Sequence, residues 1–68
     1  MRQSTSELTA RQVQILKELE KGKLYKEIAE ELGISTGTMK QHVHKILKKL
    51  EANNRIEAVI IWRNNERV

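Results

Sequence analysis

Apolar residues recur along this chain at helical spacing in four stretches, separated by short polar or glycine-containing joins. In the first stretch Val13, Leu16 and Leu19 share a face with Ile15 beside them, which predicts a helix over about 9–21. Thr9 followed three residues later by Gln12 has the pattern of a capping box, and Leu8 with Val13 that of a hydrophobic staple. Lys21 and Gly22 supply a cationic last turn and a residue that tolerates left-handed geometry, so the helix should stop there. Tyr25, Ile28, Ala29 and Leu32 stand at i, i+3, i+4 and i+7 and predict a second helix over about 25–32. In the turn Gly33-Ile34-Ser35, Ile34 can drop into the core and Ser35 can cap the next helix. Two helices joined by so short a glycine-containing turn form a helix-turn-helix unit.

The third helix is expected over about 36–51, with Met39, Val43, Ile46 and Leu50 along a stripe that Leu47 widens. At about 100° per residue the opposite face centres on Gly37, Gln41, His44 and Lys48, flanked by Lys40 and Lys45. Asn53-Asn54 breaks this helix and offers a side-chain cap to a short fourth one, about 55–63. Its apolar residues Ile56, Ala58, Val59, Ile60, Ile61 and Trp62 go round more than one face, so one core-facing stripe cannot bury them all. Either Trp62 folds back as a lid on the core, or surplus apolar surface joins two copies of the chain. Residues 1–7 are polar without periodicity and read as a flexible tail or linker remnant, leaving 8–68 as one domain. The expected fold is all-α, a compact four-helix bundle containing a helix-turn-helix.

Composition narrows the function. A chain of 68 residues, 38% hydrophobic, holds one small core, which excludes most enzymes. The absence of Cys removes disulfides and thiolate metal sites and fits a reducing cytoplasm. The longest apolar run, Ala58 to Trp62, is far short of the ~20 residues of a membrane span, and no signal peptide is evident; the expectation is a soluble cytoplasmic protein with no membrane partner. All nine acidic residues are Glu, so the chain itself supplies no phospho-accepting aspartate and no Asp-based metal or catalytic site.

The formal net charge is +4, and the stretch from Thr36 to Leu50 holds four Lys and no acid. Nine basic and nine acidic groups remain elsewhere, so the whole excess sits on the third helix. A helix with one apolar face and a basic, hydrogen-bonding opposite face suits the major groove of duplex DNA. Single-stranded RNA is a poorer partner, because Tyr25 and Trp62 are the sole aromatic platforms and neither lies on that helix.

Other combinations carry less chemistry. His42 and His44 point about 200° apart on a helix and cannot ligate one ion, so no metal is expected. His44 faces outward, while His42 borders the core stripe as a packing and hydrogen-bonding residue. Lys26 and Glu27 are adjacent and cannot act as an acid-base pair; Glu27 should pair with a base on another helix and Lys26 should reach phosphate or solvent. Gly37 in a first helical turn reflects either close approach to DNA or simple tolerance.

Five blocks, LTARQ at 8–12, KEIAEELGIS at 26–35, TMKQH at 38–42, IxxKL at 46–50 and RIEAV at 55–59, together resemble the LuxR-type (GerE-like) helix-turn-helix family. The match covers about residues 8–63 and is similar in particular to the effector domains of NarL-type response regulators. The resemblance implies a sequence-specific regulator of transcription that binds double-stranded DNA without catalysis or cofactor. It places Lys40, Gln41 and His44 at base edges, with Thr38, Lys45 and Lys48 on the DNA backbone. It also implies a homodimer on DNA through the fourth helix, for which Val59, Ile60 and Trp62 are the interface candidates, and leaves RNA polymerase as a further candidate partner. The competing reading is a sigma-region-4-like module that docks on polymerase or another protein. Three places depart from the family pattern: Leu24 and Tyr25 replace small polar capping residues, Gln12 replaces Glu, and Glu51 replaces the Gly after the third helix.

Overall fold

A computed structural model describes residues 8–66. The expected tail at 1–7 and the end of the expected domain at 67–68 lie outside the described residues. Four helices follow in order, α1 (Ala10–Glu20), α2 (Tyr25–Leu32), α3 (Thr36–Leu50) and α4 (Arg55–Glu66), with no strand among the described residues. The all-α expectation is met, and the first three helices lie within a residue or two of their expected bounds.

Helix starts follow from side chains that take up free backbone N–H groups. Thr9 Oγ1 accepts the Gln12 N–H (3.1 Å) while Gln12 Oε1 accepts the Thr9 N–H (2.9 Å), the reciprocal capping box. Ser35 Oγ accepts the Thr38 N–H at 3.0 Å, and Asn54 Oδ1 accepts the Glu57 N–H at 2.8 Å. Leu24 has no acceptor to offer α2. Glu27 supplies the reverse half of a box there, its carboxylate accepting the Leu24 N–H at 2.8 Å. The expected pairing of Glu27 with a base on another helix is therefore corrected: its carboxylate is used by the backbone at the start of its own helix, and it forms no ion pair with a described residue.

Stops are set by left-handed residues. Gly22 (φ 83) and Gly33 (φ 70) take conformations that cost other residues a Cβ clash. At Gly33 the chain turns so that the Ile34 N–H reaches the Ala29 carbonyl at 3.0 Å, and Ile34 packs on the core. The same turn closes α3, where Ala52 N–H reaches the Leu47 carbonyl at 2.9 Å, but the left-handed residue there is Glu51 (φ 56). The fourth helix runs to Glu66, three residues beyond the expected stop at 63. The last apolar residue marks where burial ends; with neither Gly nor Pro after Arg63, nothing local breaks the backbone there.

The core joins Ile15, Leu16 and Leu19 of α1, Ile28 and Ala29 of α2, Met39, Val43, Ile46 and Leu50 of α3, and Ala58 and Trp62 of α4. Trp62 is only 5% exposed. Its assignment to a dimer interface is corrected: the indole completes the core of its own chain, as the lid reading had it. Polar ties add to this packing. Lys23 Nζ, in the α1–α2 loop, bridges Glu18 of α1 and Glu31 of α2 at 2.7 Å each. Gln12, 5% exposed, also accepts Lys49 Nζ at 3.2 Å, tying α1 to the end of α3.

Two outcomes test this account. Left-handed geometry costs a non-glycine residue about 1–2 kcal/mol, and glycine gives back about 0.4–1 kcal/mol through its freer unfolded chain. Glu51→Gly should therefore stabilise by about 0.5–1 kcal/mol, read as a higher urea midpoint at unchanged slope; a lower midpoint refutes it. The second concerns the Lys23 bridge. Its hydrogen bond to Lys23, with Lys21 nearby, holds the Glu18 carboxyl below the ordinary 4.5, and the bonds to Glu18 and Glu31 raise Lys23 above its ordinary 10.5. A lowered carboxylate stabilises above its unfolded pKa and loses this as pH falls through the folded one, whereas a raised lysine stabilises below 10.5 and loses this as pH rises through its folded pKa. Thermal melts should show Lys23→Met destabilising most between about pH 5 and 10, with the deficit shrinking towards pH 3. A deficit that stays constant into acid assigns the effect to something other than the bridge.

Candidate nucleic-acid interface

The burial of Met39, Val43, Ile46 and Leu50 fixes how α3 is turned about its axis, and the opposite side is left to solvent. Gly37, Lys40, Gln41, His44, Lys45 and Lys48 are all exposed along that side. Thr38 is exposed at its beginning, where its Oγ1 accepts the Ser35 O–H at 3.0 Å. All six candidate DNA-contacting residues thus lie on one helix and reach solvent. Lys49 does not join them. It is half-buried and turned to Gln12, so the exposed face carries three of the four lysines counted on this helix. His42 is half-buried at the margin of the stripe and its side chain hydrogen-bonds to no other described residue, which keeps the packing part of its expected role only.

Charge pairing is uneven over the surface. Lys21 and Lys23 meet Glu18, Arg63 Nε meets Glu20 at 2.8 Å, and Arg55 Nη2 donates to the Lys23 carbonyl at 2.9 Å. Lys40, Lys45 and Lys48 have no acidic partner among the described residues. Their field is uncompensated nearby, which is what attracts a polyanion. Gly37 has room: a Cβ there would meet only Ser35 Oγ, at an ordinary 3.8 Å. Among the described residues nothing requires glycine at that position.

A second surface lies between the end of α1 and α4, a shallow groove of about 420 Å³ walled by Leu19, Ile56, Val59 and Ile60. Ile56 is 69% exposed and Ile60 48%, with Val59 half-buried beside them. Of the interface candidates, Val59 and Ile60 reach this groove, whereas Trp62 does not line it. Ile56, which is not among the three interface candidates, lines the groove too, and its i, i+4 relation to Ile60 is the signal in sequence. Arg55 is not among the candidates either. Its guanidinium stands 5.1 Å from the centre of the Tyr25 ring, a contact thirty residues apart in sequence that no local periodicity encodes. Among the described residues no group of His or Glu is placed to hold a metal ion, and no helix is long and apolar enough to cross a membrane.

Comparison with known proteins agrees with this geometry. The family model GerE, described as bacterial regulatory proteins of the luxR family, matches residues 6–62. The transcriptional regulatory protein DesR of Bacillus subtilis (strain 168) is 48% identical over 52 residues, covering 76% of this chain and 26% of DesR. The transcriptional regulatory protein LnrK of the same organism is 46% identical over 54 residues, 79% of this chain and 24% of LnrK. The nitrate/nitrite response regulator protein NarL of Escherichia coli (strain K12) is 40% identical over 63 residues, 93% of this chain and 29% of NarL. This chain thus spans about a quarter of the length of these relatives. With the family model matched over residues 6–62 and the helix-turn-helix formed by α2 and α3, the chain belongs to the luxR family of bacterial regulatory proteins, DNA-binding regulators of transcription.

Proposed function

We propose that this chain binds duplex DNA sequence-specifically by seating α3 in the major groove, and that two copies associate through α4 on a two-fold-related site. The observation that carries the reading is the exposed face of α3, where Lys40, Lys45 and Lys48 lack acidic partners and flank Gln41 and His44. A major groove about 12 Å wide admits one α-helix, and amide and imidazole groups can reach base edges there while lysines reach phosphates. In this reading Lys40, Gln41 and His44 read bases, and Thr38, Lys45 and Lys48 hold the backbone. Thr38 suits the second role because its hydroxyl accepts from Ser35 and keeps its own hydrogen to donate. The α1–α4 groove, with Ile56, Val59 and Ile60, is the apolar surface for a second copy. It is small, so association in free solution should be weak and strengthen when both copies hold DNA.

Selection of binding sites from random duplexes, followed by titration over a range of salt, tests this reading. Gln41→Ala should relax preference at one base position and cost about 1–3 kcal/mol on the best site. Lys48→Ala should weaken all sequences alike and lower the salt slope by about one unit. An unchanged preferred sequence for Gln41→Ala removes it as a reader. Affinity indifferent to salt, with retention on polymerase instead of DNA, would favour the sigma-like docking module.

Gly37 gives a separate test. Gly37→Ala fits the protein and should raise helix stability, by up to about 1 kcal/mol. If α3 lies close against DNA, the same methyl should weaken duplex binding. A more stable variant with undiminished affinity would show that the groove leaves Gly37 free.

A further inference from the structure

The start of α2 is held partly from outside its own sequence. Leu24, 63% exposed, gives it no side-chain cap. Arg55, the first residue of α4, donates through Nη2 to the Lys23 carbonyl at 2.9 Å and places the same guanidinium over the Tyr25 ring at 5.1 Å. One side chain of α4 therefore grips both the loop before α2 and the first residue of α2. Elsewhere α2 packs chiefly on α3, and α4 on α1 and α3, so Arg55 spans a place where the two helices otherwise touch little. Arg55 also lines the groove that holds Ile56, Val59 and Ile60.

We propose that Arg55 is a positioning residue that couples the seating of a second copy on α4 to the seating of α2 and α3 on DNA. The inference rests on the two-copy reading given above. A copy packed in the groove covers the Arg55 stem and restricts its rotamers, and the guanidinium passes that restriction to the Lys23 carbonyl and the Tyr25 ring. The first turn of α2 also carries exposed Lys26, within reach of a phosphate when α3 docks. Each event fixes a segment that the other needs fixed, and such coupling is reciprocal. Arginine suits the task because a planar fork stacks on a ring and donates in its own plane at once, which an ammonium cannot do. The Tyr25 ring gives the guanidinium its platform.

The test compares one half-site with a two-fold site, both recovered by selection from random duplexes, at a temperature well below each melting transition. The variants are Arg55→Met, Arg55→Lys, Tyr25→Leu and Tyr25→Phe. Arg55→Met and Tyr25→Leu should lower cooperativity between half-sites about fivefold while single half-site affinity changes less than about twofold. Tyr25→Phe, which keeps the ring face, should retain cooperativity, and Arg55→Lys should restore part of it. A role confined to stability would lower the melting temperature and leave the ratio of two-site to one-site affinity unchanged. That result, or a loss of half-site affinity as large as the two-site loss, overturns the coupling. Wild type without cooperativity overturns the two-copy reading and the coupling with it, whereas cooperativity persisting in every variant overturns the coupling alone. Should Arg55→Met fail to fold, Tyr25→Leu still decides, because it leaves the bond to the Lys23 carbonyl in place.

Discussion

Met39, Val43, Ile46 and Leu50 bury one side of α3 against each of the other three helices, and that burial decides where the basic side points. Rotating the helix by one residue, about 100°, would put lysines into the core, at a desolvation cost that nothing in so small a protein could offset. The exposed basic face is thus a consequence of the core. The remaining structure keeps α3 in that orientation: α1 through Gln12 and Lys49, α2 through the Gly33 turn, and α4 through Ala58 and Trp62.

None of these helices would stand alone. The longest has 15 residues and α2 only 8, at or below the length at which isolated helices are marginal in water. Caps and ion pairs consequently matter most where the helix is shortest. The helix α2 draws on Glu27 and Arg55 at its start and on Lys23, through Glu31, in its last turn, from its own first turn, another helix and the preceding loop. These contacts use surface charge to hold geometry, and they leave Lys40, Lys45 and Lys48 without an acidic partner among the described residues.

Much of this was legible in sequence because the signals are local. Thr9 with Gln12, Gly33 with Ser35, and Asn54 with Glu57 lie within a few residues of one another, and helical spacing alone ordered Met39 to Leu50. What was not legible depends on which helix lies opposite. Periodicity gives a residue its angle about its own axis and says nothing of its neighbour. So the charge total of α3 includes Lys49 although its ammonium turns to Gln12 on α1, and Trp62 stands among the interface candidates although the core of its own chain takes up the indole. Glu27 carries a charge that suggests an ion pair with another helix, yet the uncapped backbone three residues before it takes up the carboxylate. Glu51 shows the converse, a position whose left-handed geometry the turn imposes whatever residue occupies it.

The economy of charge on α3 bears on how many copies must act. In the proposed reading Lys45 and Lys48, with Thr38, make only a few phosphate contacts, and each neutralised phosphate contributes through released counterions, so one copy binds modestly at physiological salt. Base contacts from Gln41 and His44 add discrimination but little area. A second copy held on the other half-site raises the affinity of the first without adding to the first copy's own DNA contacts, because it raises that copy's effective concentration, provided that the two are linked through protein. The linking surface must be weak enough to leave free copies apart, and a shallow groove with two exposed isoleucines on a helix of 12 residues meets that limit. Occupancy of a two-fold site then depends on its two halves together, and this separates the correct site from the many half-matches that a genome contains.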